Sequence, residues 1–237
     1  TGYYKHYFLG GDPDFNNFEG LLKNINGLQM HTKGSFKSPE INVWGISDKD
    51  LMLEANEIFK KKDKPFIGYI QTAGNHHPYD RCISPKDTDF QKIEINKKEL
   101  KKYGFSSVSE FNALRYFDYC IQKFMEAAQK ETYFQNTIFI FFGDHGVAGN
   151  AEAMYPSVWT EQLLANEHVP LLFYAPSLLP PQKRREIVSQ IDILPTIAGM
   201  VKQSYLNTTL GRDLMDSTKK NNYAFITSTT GSIGMVT

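Results

Sequence analysis

The sequence predicts an α/β fold, a mostly parallel central sheet with helices on both faces. Short apolar runs rich in β-branched and aromatic residues recur along the chain, and segments of helical period lie between them. Start signals for helices stand at the front of those segments. Strands that alternate with helices are joined by crossovers, so they pair in parallel and are covered on their faces.

Taken in order, the strand-like runs are residues 3–9, 66–72, 137–142, 169–174 and 223–227. Each has the length and composition of a strand. The segment 48–61 has helical period through Leu51, Leu53, Ala55, Ile58 and Phe59, and 110–130 places Leu114, Phe117, Ile121, Phe124 and Ala128 on one stripe. Ser47 before Asp48 and Asp50 reads as an N-cap with acids in the first turn, and Ser109 before Glu110 does the same for the long helix. A third helix follows Asp192 over 193–202, with Pro195 in its first turn, where a missing N–H costs nothing. Long irregular stretches at 31–42, 76–96 and 143–161 separate these elements, and loops of that length are usually functional.

At 237 residues, 41% hydrophobic and 14% aromatic, the chain can bury a sizeable core, and no linker or repeat divides it. It reads as one domain spanning 1–237. Lys plus Arg and Asp plus Glu are equal at 26 each, so no basic field concentrates a phosphate backbone, which argues against nucleic acid. The longest apolar stretches fall far short of the roughly 18 residues that cross a bilayer. Thr1 opens the chain without an initiator Met or signal-peptide pattern, so any membrane anchor is expected upstream. Cys82 and Cys120 have no CxxC spacing; one bridge could join them, and two buried free thiols are the commoner outcome.

Three polar motifs leave the ends of strand-like runs. Gly143-Asp144-His145-Gly146 follows 137–142, and a carboxylate beside an imidazole suits a divalent cation such as Mn²⁺ or Zn²⁺. The plainer alternative is that Asp144 caps a turn and His145 bonds a carbonyl. Asn75-His76-His77-Pro78-Tyr79 follows 66–72 and offers hydrogen bonds to an anion, with His76 able to act as an acid near neutral pH; a polar turn before proline is the alternative. Leu9-Gly10-Gly11-Asp12, continuing to Asn17, combines glycines for close backbone approach with polar groups, and an ordinary strand-to-helix turn explains it nearly as well.

In order along the chain, Phe8-Leu9-Gly10-Gly11-Asp12 with Phe15-Asn16-Asn17, Val43-Trp44-Gly45-Ile46-Ser47-Asp48, Asn75-His76-His77-Pro78 and Gly143-Asp144-His145-Gly146 resemble the sulfatase-like lipoteichoic acid synthase family and its Gram-negative relatives. His168-Val169-Pro170-Leu171-Leu172, Ser189-Gln190-Ile191-Asp192 and Gly211-Arg212-Asp213-Leu214 extend the resemblance over nearly the whole chain.

The resemblance implies an alkaline-phosphatase/sulfatase-like domain on the extracytoplasmic face of the bacterial cytoplasmic membrane, anchored upstream of residue 1. It implies transfer of a glycerol-phosphate or phosphoethanolamine headgroup from a phospholipid to a glycan or lipid acceptor. Asp144 and His145 then correspond to metal ligands, with Mn²⁺ foremost and Zn²⁺, Mg²⁺ or Ca²⁺ as alternatives. His76, rather than His77, corresponds to the catalytic, phosphate-contacting histidine, and Asp12 and Asn17 are weaker candidates for the headgroup. The family's threonine nucleophile and remaining metal carboxylate precede the Gly-Gly-Asp segment, so the N-terminal part of the domain is expected to be missing and the isolated chain to be inactive. Neither cysteine lies in the Cys-x-Pro-x-Arg context of true sulfatases. A sulfatase or phosphodiesterase hydrolase is the alternative enzyme, and an inactive binding module is the alternative of another class.

Overall fold

The computed structural model describes residues 2–146, 149–150, 152–218, 222–227, 231 and 233–237. They form two compact units, one of residues 1–137 with 149–156 and the other of 138–148 with 157–237. Among the described residues no helix is long and apolar enough to cross a membrane.

The first unit runs β1 (Tyr4–Leu9), α1 (Phe18–Leu22), β2 (Leu28–His31), α2 (Asp48–Phe59), β3 (Phe66–Gln71), α3 (Lys97–Lys102) and α4 (Val108–Ala128). Its sheet has the order β2-β1-β3, all parallel, with Tyr7 opposite both Met30 and Tyr69. Side chains alternate across β1. Phe8 faces α2, its ring edge-on to Phe59 at 5.3 Å, while Tyr7 turns the other way, with its ring 6.5 Å from Phe18 of α1. α2 therefore covers one face of this parallel sheet, while on the other α1 reaches Tyr7 and the neighbouring Ile67 and Tyr69 of β3 stay 57% and 45% exposed. Phe8, Ile46, Leu51, Ala55 and Phe59 form the core, joined by Phe66, Ile70 and Tyr133.

Two sequence expectations shift here. The long helix starts two residues earlier than expected, because Ser107, not Ser109, accepts the Glu110 N–H at 3.0 Å. Its buried seam is Ala113, Tyr116, Cys120, Phe124 and Ala128, leaving Leu114 47% exposed. A count of apolar residues undervalues Tyr116, whose hydroxyl is satisfied inside by Asp87. Both cysteines are free and buried, and burial raises the Cys82 thiol to about 11.

The second unit runs β4 (Phe139–Phe142), α5 (Val158–Glu161), α6 (Leu164–Glu167), β5 (Leu171–Tyr174), α7 (Ile193–Met200), β6 (Ala224–Thr227) and β7 (Ile233–Val236). Here β4 pairs antiparallel with β5, Phe139 opposite Tyr174, and β6 pairs antiparallel with β7. A short apolar run carries no direction, so strand polarity in this unit was not legible from composition.

One buried pair gives a pH-dependent stability. His6, 1% exposed, has Nδ1 3.0 Å from His31 Nε2, and its own Nε2 is buried with no hydrogen-bond partner among the described residues. Burial, then the Lys62 ammonium and His31, push the His6 imidazole down to about 4, and burial lowers His31 as well. The unfolded histidine titrates near 6.5, so between about 6.5 and 4 the unfolded chain takes up a proton that the folded chain refuses. The His6 contribution is complete above that window and is lost as pH falls through it, at up to ~1.4 kcal/mol per pH unit, and the lowered His31 acts in the same direction. Urea unfolding of wild type and His6→Phe across the window checks this. The difference between the two should shrink or reverse toward acid, and a constant difference would refute it.

Candidate functional site

The loop after β1 is held by backbone packing. Gly45 has φ of +100°, and a Cβ there would lie 1.8 Å from the Gly10 carbonyl oxygen. A Cβ on Gly11 would lie 2.7 Å from the Trp44 carbonyl oxygen. The close approach expected of these glycines is therefore realised against the chain's own 44–46 segment. Past it, Asp12 accepts the Asp14 N–H at 3.0 Å, and Asn16 and Asn17 take left-handed backbone angles that asparagine tolerates. Asp12 and Asn17 are both exposed.

His76 stands on the loop after β3, and three residues hold that loop. Asp48 Oδ1 accepts the Ala73 N–H at 3.0 Å and Oδ2 accepts the Gly74 N–H at 2.9 Å. Trp44 Nε1 donates to the His77 carbonyl at 2.7 Å, and its ring centroid is 4.9 Å from that of His76. Asn42 donates to the Arg81 carbonyl at 3.0 Å. Sequence reasoning counted Asp48 only as a first-turn acid. It is 4% exposed, and burial raises its carboxyl pKa while the two backbone N–H groups pull the other way. Trp44 has no role that its residue type alone announces. No local signal marks either one, because their partners lie in another loop.

Asp144 and His145 follow β4. The His145 N–H donates to Asp144 Oδ1 at 2.9 Å, as a turn cap would. His145 Nδ1 lies 2.8 Å from the Gly146 carbonyl oxygen; that oxygen can only accept, so Nδ1 carries the proton and Nε2 the lone pair. Metal-binding histidines are commonly oriented by such a bond. Asp144 Oδ2 and His145 Nε2 are 3.8 Å apart. Two donors each ~2.1 Å from one ion are separated by about 3 to 4 Å, so this carboxylate and imidazole fit a shared divalent cation. The pair is well exposed, with 72% and 60% of the two side chains open. Gly146 closes the motif, donating to the Asn166 carbonyl at 2.6 Å where a Cβ would lie 2.2 Å from the Ala165 carbonyl oxygen.

The structure thus places Asp144 and His145 side by side in the second unit, and Asp12, Asn17 and His76 on strand-exit loops of the first.

A sulfatase family model matches residues 1–203. The lipoteichoic acid synthase-like protein YvgJ of Bacillus subtilis is 23% identical over 167 residues, covering 67% of this chain and 26% of that protein. An arylsulfatase of Clostridium perfringens is 27% identical over 144 residues, covering 58% of this chain and 28% of that protein. The chain spans about a quarter of the length of these curated relatives. An alkaline phosphatase superfamily protein from Vibrio parahaemolyticus superposes on all of this chain and 53% of its own, with a TM-score of 0.75 and 27% identity. The lipoteichoic acid synthase LtaP of Listeria monocytogenes shares the fold, with a TM-score of 0.77 and 20% identity over 94% of this chain and 55% of its own.

Proposed function

This chain belongs to the sulfatase family, and on that premise we propose that it is part of a metal-dependent phosphotransferase that moves a glycerol-phosphate or phosphoethanolamine headgroup from a phospholipid to a glycan or lipid acceptor. The observation that carries the reading is the Asp144–His145 pair, its ligand atoms 3.8 Å apart and its imidazole tautomer fixed, in a chain similar to lipoteichoic acid synthases. In this reading residues 1–237 belong to one catalytic domain. The enzyme works at the extracytoplasmic face of a bacterial membrane, held there by an anchor outside these residues.

A phosphodiester resists attack because its anionic oxygens repel the nucleophile. A divalent cation, Mn²⁺ foremost, supplies Lewis-acid neutralisation of those oxygens when bound. Asp144 contributes the carboxylate oxygen that would hold it, and His145 the imidazole nitrogen. His76 binds the phosphoryl oxygens or protonates the leaving alkoxide, with Trp44 and the Asp48-anchored turn beside its ring. Asp12 and Asn17 contact the headgroup. The covalent phosphoryl intermediate forms on a threonine outside these residues.

The test uses the full-length protein with Mn²⁺ and vesicles of phosphatidylglycerol or phosphatidylethanolamine carrying a labelled headgroup. Wild type should transfer label to the acceptor, and His76→Ala should lower the rate by about 10² or more, the usual contribution of a positioned acid. Equal rates for the two proteins would remove His76 from the chemistry. The similarity to an arylsulfatase favours one alternative, hydrolysis. Release of inorganic sulfate from an aryl sulfate, without headgroup transfer, would decide for it.

A further inference from the structure

We propose that Gln190 is a positioning residue for the Asp144–His145 pair, acting through the main chain that carries it. The inference rests on reading that pair as a cation site.

Gln190 Nε2 donates to the Gly143 carbonyl oxygen at 2.6 Å and to the Asp144 carbonyl oxygen at 2.7 Å. A side-chain amide has two N–H groups, so one residue satisfies both acceptors. The two carbonyls belong to the peptide groups on either side of the Asp144 Cα. Holding both peptide planes fixes the backbone angles of Asp144, and with them the direction of its Cα–Cβ bond. The carboxylate is thereby aimed without being touched. On the far side of His145, the Gly146 N–H is held by the Asn166 carbonyl at 2.6 Å, so the pair is pinned at both ends.

Gln190 is itself anchored. It opens a one-turn 3₁₀ helix whose front is closed by a reciprocal capping box between Ser189 and Asp192. Asp192, 3% exposed, accepts the Ser189 N–H and the Arg212 N–H at 2.9 Å each, and its carbonyl accepts the Thr196 hydroxyl at 2.7 Å. The Ser-Gln-Ile-Asp segment and the Gly-Arg-Asp-Leu segment, both without a role at the level of sequence, thus form one support. Arg212 braces Asp192, Asp192 fixes the turn, and Gln190 reaches from the turn to the metal pair. Groups that orient metal ligands typically matter 10- to 100-fold in metal affinity when removed.

The experiment measures Mn²⁺ affinity of the full-length protein by calorimetry, with thermal unfolding of the metal-free protein alongside. Gln190→Met keeps the length of the side chain and deletes both donors. Affinity should fall 10- to 100-fold with the metal-free melting temperature unchanged, a combination that a merely structural role would not produce. The Mn²⁺ electron paramagnetic resonance signal should broaden as the ligand geometry spreads. If Met lowers the melting temperature, Gln190→Glu decides, since it keeps shape and loses the donors. Its added negative charge favours a cation, so a loss of affinity there reports the missing N–H groups. Affinity within threefold of wild type in the folded variant overturns the role of Gln190, provided that Asp144→Ala abolishes binding. If Asp144→Ala leaves binding intact, or wild type binds no Mn²⁺, the cation site itself is wrong.

Discussion

On the proposed reading, Asp144→Ala is expected to lower turnover of the full-length protein by about three orders of magnitude or more. The substitution removes a carboxylate oxygen that sits 3.8 Å from His145 Nε2, and with it the negative charge that would balance a divalent cation at the proposed site. Lewis-acid neutralisation of a phosphoryl group supplies several kcal/mol to the transition state, and each ~1.4 kcal/mol is a factor of ten. The side chain is 72% exposed, so its loss should barely change stability, and activity and folding can be read separately. His145→Ala should act in the same direction, while Asp144→Asn, which can keep the bond to the His145 N–H, separates charge from geometry. Turnover at saturating Mn²⁺, with thermal unfolding as control, makes the measurement. A rate for Asp144→Ala within tenfold of wild type would show that the chemistry lies elsewhere.

The second large effect is on folding. Gly45→Ala should destabilise the protein by ~3 kcal/mol or more. At φ of +100° an L side chain is strained by ~1–3 kcal/mol. Its Cβ would also meet the Gly10 carbonyl oxygen at 1.8 Å, its carbon at 2.3 Å and the Gly11 nitrogen at 2.7 Å. These are backbone atoms, so no rotamer change relieves the clash, and overpacking adds a further ~1–3 kcal/mol. The turn is also bonded through the Gly45 carbonyl to the Ile41 N–H at 2.8 Å, and the Ile46 N–H reaches the Gly10 carbonyl at 3.4 Å. Because Trp44 leaves this turn toward His77, local disruption should also reduce activity in any variant that still folds. Urea unfolding checks the stability, and a midpoint indistinguishable from wild type would mean that the two loops do not interlock as described.

Much of the architecture was legible because its causes are local. The strand-like runs at 3–9 and 66–72 became β1 and β3, trimmed by a residue at one end of each. Ser47 accepts the Asp50 N–H at 3.1 Å, as an N-cap before a run of helical period should. The strands Leu28–His31 and Ile233–Val236 do not stand out as runs of β-branched and aromatic residues, the first interleaving Gln and His with Leu and Met and the second holding a Gly. The candidate site divides in the same way. Its polar residues announce themselves by type, placed directly after apolar strands. Their supports do not: Asp48 resembles an ordinary helix-start acid until its 4% exposure and two backbone donors are seen.

By itself, the sequence determined the α/β class, the main helices and strands, and the motifs that follow the strands, since period, capping and residue chemistry act over a few neighbouring positions. Tertiary structure alone decided strand direction in the second unit, the seam of α4, the burial of Asp48 and the reach of Gln190. Those depend on which donors meet which acceptors across wide gaps, 25 residues from Asp48 to Ala73 and 47 from Gln190 to Gly143. Only a folded chain removes such groups from water, and it is that removal which obliges each of them to find its partner.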